Sequence, residues 1–395
     1  MRRHSWKEKK LTSALCRLAA CAVACALALP ALAAGTAIDE ASFEHYYALL
    51  VGYVRDCPTR SQVAAIEVAE EIYQLTHGWQ HDTKTEADRI RASERVLNLC
   101  DDLRTQFATV RLICTDGNWF VPKEPVIEIA RGVLRPVWVD CKNGSKTGMD
   151  IEIGVAGTET SRSLSIPSSQ SRPVILTALV SEGEPDCVEI EVRERGAGKD
   201  PQRLRIPITV VPCTTIRGIL KDSDSDAISP GRVYVECADH VLRHGKAFVN
   251  NSTLSEKPIV FRPAWYRLPF FYSDGHFEID VPPGKTLVTL ERGFEHEIVS
   301  ETVTLLPGET KELRLQSRRF ADMKKQGWIS GDTHVHWSKN SWDENEDMAL
   351  LAIVQRAEDV RVVNNLTLYQ WRPTGAFTKP DPYPPGPVPG FCDGE

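Results

Sequence analysis

The sequence predicts a multidomain protein with a small α-helical N-terminal domain, two β-sandwich domains and a C-terminal β/α fragment. Apolar residues recur every three or four positions over residues 38–107, which is typical of amphipathic helices. After residue 108 the period changes to two, and a strand–helix–strand pattern follows residue 317. The 395 residues, with 42% hydrophobic and 26% charged side chains, have the composition of a soluble globular protein.

The net charge argues against two classes of partner. It is −7 for the whole chain, and residues 1–33 hold most of the local basic excess, so the remainder is more acidic still. A chain this acidic is a poor candidate for binding nucleic acid or anionic lipid through its overall field.

Residues 1–33 have the three parts of a secretory signal peptide. A basic stretch reaches Arg17, an apolar run covers 18–29, and the small-residue pattern Ala31-Leu32-Ala33 follows Pro30. The apolar run is shorter than the roughly 20 residues that a membrane-spanning helix needs. We therefore expect export to a periplasmic or extracellular location. In an alternative interpretation Leu18-Ala19-Ala20-Cys21 resembles a bacterial lipobox, which would leave a lipid anchor on Cys21.

Cysteine use fits an oxidising compartment. Of the 11 cysteines, three lie in the leader and an even number remain, so disulfides are plausible, although spacing does not reveal their pairing. The absence of a CxxC motif disfavours a zinc knuckle or a thioredoxin-type site.

Residues 38–107 are predicted to form a three-helix domain. Thr59 with Gln62, and Thr83 with Glu86, have capping-box spacing. The histidines of this region lack a cysteine or carboxylate at ligand-like spacing and are interpreted as surface or capping residues: His45, His77 and His81.

Residues 108–213 are predicted to form the first β-sandwich. Apolar residues alternate with polar ones in three segments, and turn-forming residues separate the segments. The alternating sets are Ile151/Ile153/Val155, Val188/Ile190/Val192 and Leu204/Ile206/Ile208/Val210.

Residues 214–316 are predicted to form a second sandwich with sharper motifs. A strand around Gly218 precedes an acidic turn, then come the segment "PGRVYV" from Pro230 and the segment "DGHFEIDVPPG" from Asp274. This order resembles the carboxypeptidase regulatory-like, or transthyretin-like, sandwich, which implies a folding or interaction module. The turn that starts at Asp222 imitates a calcium loop, but Ala227 replaces the required glycine, so we interpret it as a solvated turn.

The segment from Gly327 to Trp337, "GWISGDTHVHW", carries the candidate chemistry. In an extended strand alternate residues point the same way, so His334 and His336 are expected to share one face. Two imidazoles there could hold a divalent metal, and Asp332 could be a further ligand or orient an imidazole. A bound metal would activate water for hydrolysis.

This motif, directly after a transthyretin-like module, resembles the start of the PHP superfamily of metallohydrolases, in particular the CehA/McbA-like members. The resemblance implies that His334 and His336 are the first ligands of a zinc, manganese or iron site. It also implies that 317–395 begins a distorted β/α barrel, with a helix over 346–360 and a strand over 361–369.

The rest of that pattern is missing. No histidine follows His336, and a closed β/α barrel takes about 250 residues. The sequence therefore predicts either an exported PHP-type hydrolase of phosphoesters, esters or carbamates that is incomplete in this chain, or a secreted binding or scaffold protein. In the second case the sandwiches contact protein partners and the C-terminal fragment is inert. The small-molecule substrate is not identified.

Overall fold

The computed structural model describes most of the chain after residue 37. The described residues are 38–76, 84–158, 161–183, 186–196, 198, 200–243, 270–335, 348–365, 367–371 and 375–379. The predicted signal peptide, the possible lipobox cysteine Cys21, the histidines His77 and His81, and the metal-ligand candidate His336 lie outside them. None of the described helices is both long and apolar enough to cross a membrane.

Three helices form the N-terminal part: α1 (Glu40–Asp56), α2 (Gln62–Thr76) and α3 (Glu86–Gln106). Asp39 caps the N-terminus of helix α1, and its carboxylate accepts the Ser42 amide at 2.7 Å. Thr85 and Asp88 form the capping box of α3, two residues after the predicted pair of Thr83 and Glu86; Thr83 lies outside the described residues. The prediction missed it because Asp, like Glu, can return a hydrogen bond to the cap residue.

The first sandwich consists of two four-stranded sheets, with strand orders β2-β1-β4-β7 and β6-β5-β8-β9, and a separate β3–β10 pair. Their buried residues form one continuous core. The strands are β1 (Ala108–Thr115), β2 (Asn118–Phe120), β3 (Glu128–Ala130), β4 (Arg135–Asn143), β5 (Met149–Val155), β6 (Ser161–Ile166), β7 (Ser171–Ala178), β8 (Cys187–Glu194), β9 (Gln202–Pro207) and β10 (Thr209–Val211).

The alternating run that starts at Leu204 is divided between two strands. β9 ends at Pro207 and pairs with β8, whereas β10 pairs with β3. Proline has no amide hydrogen and cannot continue a ladder as a donor. The run from Leu204 is extended as predicted, but its two halves belong to two different sheets.

The second sandwich packs a sheet of order β15-β11-β18 against a sheet of β13, β12, β16 and β17, with β14 also pairing to β12. The first and last strands of this unit, β11 and β18, run parallel over eight residue pairs, from Thr215–Thr310 to Asp222–Ser317. The strands are β11 (Thr214–Asp222), β12 (Gly231–Glu236), β13 (Leu242–Arg243), β14 (Phe271–Ser273), β15 (His276–Val281), β16 (Gly284–Glu291), β17 (Val299–Leu305) and β18 (Thr310–Ser317).

A close cross-strand contact explains one glycine of the second sandwich. Gly218 lies opposite Phe277, and a Cβ at position 218 would lie only 1.9 Å from Cε1 of that ring. The buried phenyl ring therefore occupies the space that any side chain at this position would need.

The C-terminal part is a parallel βαβ unit followed by a hairpin, and no closed barrel is present among the described residues. A 3₁₀ turn, Lys324–Gln326, precedes β19 (Gly331–Val335), helix α4 (Met348–Ala357) and β20 (Val362–Asn365). The prediction of one strand over 361–369 is corrected. Strand β20 ends at Asn365, and the residues after it form a separate strand, β21 (Thr367–Trp371), which pairs with β22 (Gly375–Lys379).

The expected disulfides are not formed among the described cysteines. No disulfide joins any two of the seven, and most of them are buried; Cys392 lies outside the described residues. These residues are Cys57, Cys100, Cys114, Cys141, Cys187, Cys213 and Cys237.

Candidate functional site

The start of strand β19 is fixed by Ser330. Its hydroxyl donates to the Asp359 carbonyl at 2.7 Å and accepts the Arg361 amide at 3.2 Å. Its carbonyl accepts the Val362 amide at 3.1 Å. One serine thus joins the strand that carries His334 to the turn between helix α4 and β20.

The predicted ligands Asp332 and His334 lie on β19 with exposed side chains. Asp332 Oδ1 accepts the backbone amide of His334 at 2.9 Å. The pairing of β19 with β20 shifts in register between Asp332 and Val335. Such an irregularity interrupts the strict alternation that predicted a shared face for these side chains.

No metal-ligand cluster is present in the part of the chain that the structure describes. Groups of three or more histidine, cysteine or carboxylate side chains suited to an ion are absent there. His336 falls outside that part, so its metal-binding role stays a prediction, together with the roles of His334 and Asp332.

The two acidic residues that follow helix α4 contact the second sandwich and the segment directly after it. Glu358 accepts a hydrogen bond from the Tyr272 hydroxyl at 2.7 Å and lies 3.1 Å from Nε of Arg232. Asp359 accepts from Arg319 at 2.7 Å. Both carboxylates are therefore bound to partly buried groups. Burial, together with the Glu358 hydrogen bond, raises the pKa of Tyr272.

A buried acidic residue joins the two sandwiches. The Asp239 side chain is 2% exposed, lies 2.9 Å from Nη1 of Arg135 and accepts two hydrogen bonds from Arg243 at 2.5 and 2.7 Å. Arg243 also donates to the Leu134 carbonyl at 2.8 Å. Burial, and then the neighbouring charge of Arg243, lowers the pKa of Arg135.

The helical part is attached to both sandwiches. Arg172 of β7 donates to the Ser42 hydroxyl at 2.7 Å, and Trp138, Ile175 and Val241 of the sandwiches belong to the helical core. The Leu242 amide donates to the Pro58 carbonyl at 2.9 Å. The three parts therefore share buried contacts.

A cavity of about 410 Å³ lies between helix α1 and the first sandwich. On the helix side it is lined by Ala41, His45, Ala48 and Gly52, and across from them by strand residues that include Leu164 and Val174. The interpretation of His45 as a surface or capping residue is corrected, since its Nε2 is buried.

Sequence reasoning missed this cavity, although a signal was present. Positions 41, 45, 48 and 52 are spaced by three or four and so share one helix face. Three of them hold Ala or Gly. A face of small residues around a single histidine indicates space beside that histidine.

Comparison with known protein families and curated proteins does not assign this chain to a family. No protein-family model matches it, and no curated protein matches it. Neither the PHP resemblance nor the transthyretin-like resemblance is therefore supported by a family match.

Several solved structures align weakly. The pilus 2b backbone protein of group B streptococcus has 9% identity over 50% of this chain and 97% of its own, with a TM-score of 0.22. The minor pilin GBS52 of Streptococcus agalactiae has 11% identity over 55% and 96%, with a TM-score of 0.22. The TIE protein of Bacillus anthracis has 12% identity over 75% and 56%, with a TM-score of 0.19. Likenesses this weak carry no argument about fold or function.

Proposed function

We propose that this chain is an exported scaffold or binding protein in which the helical part and the two sandwiches act as one rigid unit. The supporting observation is the buried Asp239, which pairs with an arginine from each sandwich. The pair with Arg135 crosses between the sandwiches at a site shielded from solvent, where a close ion pair is stronger and less screened by salt than at the surface.

The attachment of the helical part supports the same proposal. Its core includes Trp138 and Ile175 from the first sandwich, and Arg162 of that sandwich lies 2.6 Å from Asp56 at the end of helix α1. Domains that share cores and ion pairs keep a fixed arrangement, as a scaffold requires.

The second candidate function is metal-dependent hydrolysis of the PHP type. The observation that favours it is the parallel βαβ unit, which carries Asp332 and His334 at its exposed strand. In this alternative His334 and His336, with or without Asp332, would bind zinc, manganese or iron, and the metal would activate water. The residues present on β19 fit two ligand positions, fewer than the three protein ligands of a typical catalytic zinc site.

Metal content separates the two functions. The full chain is purified, incubated with zinc, manganese or iron(II), desalted and measured by elemental analysis, alongside His334→Ala/His336→Ala. The scaffold function predicts far less than one ion per chain, with no difference between wild type and variant. One ion or more per wild-type chain that the variant loses would favour the hydrolase candidate over the scaffold.

A matched control exists in the second sandwich. There Asp274 Oδ1 accepts the His276 amide at 3.2 Å, the same local arrangement as Asp332 with His334. His276→Ala removes an exposed imidazole from a strand outside the motif and should leave any metal content unchanged.

The rigid arrangement is tested separately by small-angle X-ray scattering. The wild-type profile should match the profile calculated from the described arrangement of helices and sandwiches. Asp239→Ala should increase the maximum dimension or broaden the distance distribution. A wild-type profile that requires independently moving sandwiches would overturn the scaffold proposal.

A further inference from the structure

We propose that the contact between the second sandwich and the C-terminal βαβ unit is acid-sensitive, and that protonation of His296 opens it. We call this contact the His296 junction; it comprises Arg292, Glu295, His296, Arg319 and Asp359. The inference goes beyond the proposed function and holds for either candidate function. It rests on a buried imidazole without hydrogen-bond partners, on the ion pairs around that ring, and on the way the turn after helix α4 is held.

His296 lies in the loop that follows strand β16. It forms an isolated backbone bridge with Arg319, which follows strand β18. At the start of the loop, a Cβ built on Gly293 would lie only 2.6 Å from the Glu358 carbonyl oxygen, so the loop also packs closely on the turn after helix α4. The loop is therefore held between the end of the second sandwich and the βαβ unit.

The imidazole of His296 is buried and makes no hydrogen bond. The residue is 4% exposed, and neither Nδ1 nor Nε2 has a partner among the described residues. A neutral imidazole carries one donor and one acceptor, and leaving both unpaired in a buried site already costs free energy. Protonation would add a charge and a second unpaired donor, which costs considerably more. The closed junction therefore suits the neutral ring and disfavours the imidazolium.

The charges near the ring act in both directions. Arg292 and Arg319 oppose a positive charge on His296, whereas Asp359 and Asp222 favour one. Burial is the largest influence and the two arginines come next, so the pKa of His296 lies below its ordinary value of 6.5. An opened junction would return the ring to water and bind the proton that the closed junction excludes. Opening is therefore favoured as pH falls below the ordinary value.

The neighbouring carboxylates are bound to other groups. Glu295 and Asp359 both pair with Arg319, and Asp222 pairs with Arg292 at 3.3 Å. None of the three bonds to the imidazole in the described structure. A protonated ring would gain a partner only by taking a carboxylate from an arginine or by moving into water, and either movement disrupts the junction.

Asp359 connects this disruption to helix α4. Its carboxylate accepts from Arg319 at 2.7 Å, and its carbonyl accepts the Ser330 hydroxyl at 2.7 Å. Loss of the Arg319 pair would free the turn between α4 and β20 from the second sandwich. None of the junction residues belongs to the apolar core of that sandwich, so we expect local opening with the sandwich itself still folded.

Hydrogen exchange of the full chain, measured by mass spectrometry at pH 7 and pH 5, tests the proposal. The rates are first corrected for the intrinsic effect of pH on exchange. Protection of α4 (Met348–Ala357) should fall by roughly threefold or more at pH 5. Strand β5 (Met149–Val155) of the first sandwich should keep its protection, which separates local opening from global unfolding. Unchanged or increased protection of α4 at pH 5 would overturn the proposal.

Two histidine variants identify the group that titrates. His296→Phe keeps a ring of similar size that cannot be protonated, so the protection of α4 should be the same at both pH values. The matched control is His276→Phe, which removes an exposed imidazole from strand β15 of the same sandwich and should keep the wild-type response. A wild-type response in His296→Phe would assign the effect to another group and reject the proposal.

Asp359→Asn tests the junction from the other side, in case His296→Phe does not fold. The substitution weakens the pair with Arg319, so α4 should be less protected than in wild type at pH 7. It should also lose less protection between pH 7 and pH 5, because the junction is already partly open. Wild-type protection of α4 in this variant at both pH values would contradict the proposed role of the junction.

Discussion

The carboxylate of Asp239 lies 2.9 Å from the guanidinium of Arg135, so one ion pair with only 2% and 20% of its side chains exposed connects the two sandwiches. The carboxylate also binds Arg243. Its removal would leave two guanidinium groups close together without the carboxylate that pairs with both.

We therefore expect Asp239→Asn to lower the free energy of unfolding by about 3–5 kcal/mol, the usual cost of breaking a buried pair. Urea unfolding followed by circular dichroism measures the change. The control is Asp226→Asn, which breaks an ion pair with Lys221 whose acidic partner is 69% exposed and should cost about 1 kcal/mol or less. Equal effects of the two substitutions would contradict the importance of burial at Asp239.

Gly218→Ala should destabilise the second sandwich by roughly 1–3 kcal/mol, the cost of overpacking a core. The added methyl group would overlap the Phe277 ring, which is 5% exposed. Thermal unfolding measures the effect. Gly148→Ala is the control, since its Cβ would meet nothing closer than 3.8 Å. Phe277→Leu in the Gly218→Ala background should recover part of the loss, and failure to do so would indicate backbone strain instead.

His45 should make stability depend on pH below neutrality. Its pKa is about 3 in the folded protein against an ordinary value of 6.5, so between these values the unfolded chain binds a proton that the folded chain excludes. Stability contributed by this group falls as pH falls through that window, by up to about 1.4 kcal/mol per pH unit.

Unfolding by urea at a series of pH values from 7 to 4 measures this dependence. His45→Phe should show a shallower loss of stability with acid than wild type. Ala64→Phe, which keeps the imidazole, should retain the wild-type slope. Parallel curves for wild type and His45→Phe would contradict the buried, neutral assignment.

Glu358→Ala should loosen helix α4 from the second sandwich. The substitution removes the acceptor of the Tyr272 hydroxyl and the charge beside Arg232, so hydrogen exchange in α4 (Met348–Ala357) should accelerate. Exchange in β16 (Gly284–Glu291) should change little. Glu312→Ala, at an exposed site on β18, is the control. An unchanged exchange rate in α4 would show that apolar packing alone holds the helix.

Much of the fold could be predicted from hydrophobic periodicity. Alternation of apolar and polar residues located strands such as β5 and β8. It did so because their alternate residues Ile151, Ile153, Val188 and Ile190 are buried in one core. Periodicity did not reveal which strands pair, so the division of one predicted strand at Pro207 appeared only in the fold.

The contacts that join the domains could not be predicted in the same way. Asp239 and Arg135 are far apart in sequence, and Glu358 meets Tyr272 across 86 positions. A single sequence gives no local pattern for such pairs, since charged residues usually lie in solvent. His45 was misinterpreted for a related reason: its burial results from β7 packing over helix α1.

The parallel pairing of β11 with β18 has a mechanical consequence. These strands are the first and last of their sandwich and lie side by side over eight residue pairs. A pulling force transmitted along the polypeptide would draw them in opposite directions and load all their interstrand hydrogen bonds in shear at once, rather than opening them one after another. The second sandwich is therefore built to resist extension between the segments that precede and follow it.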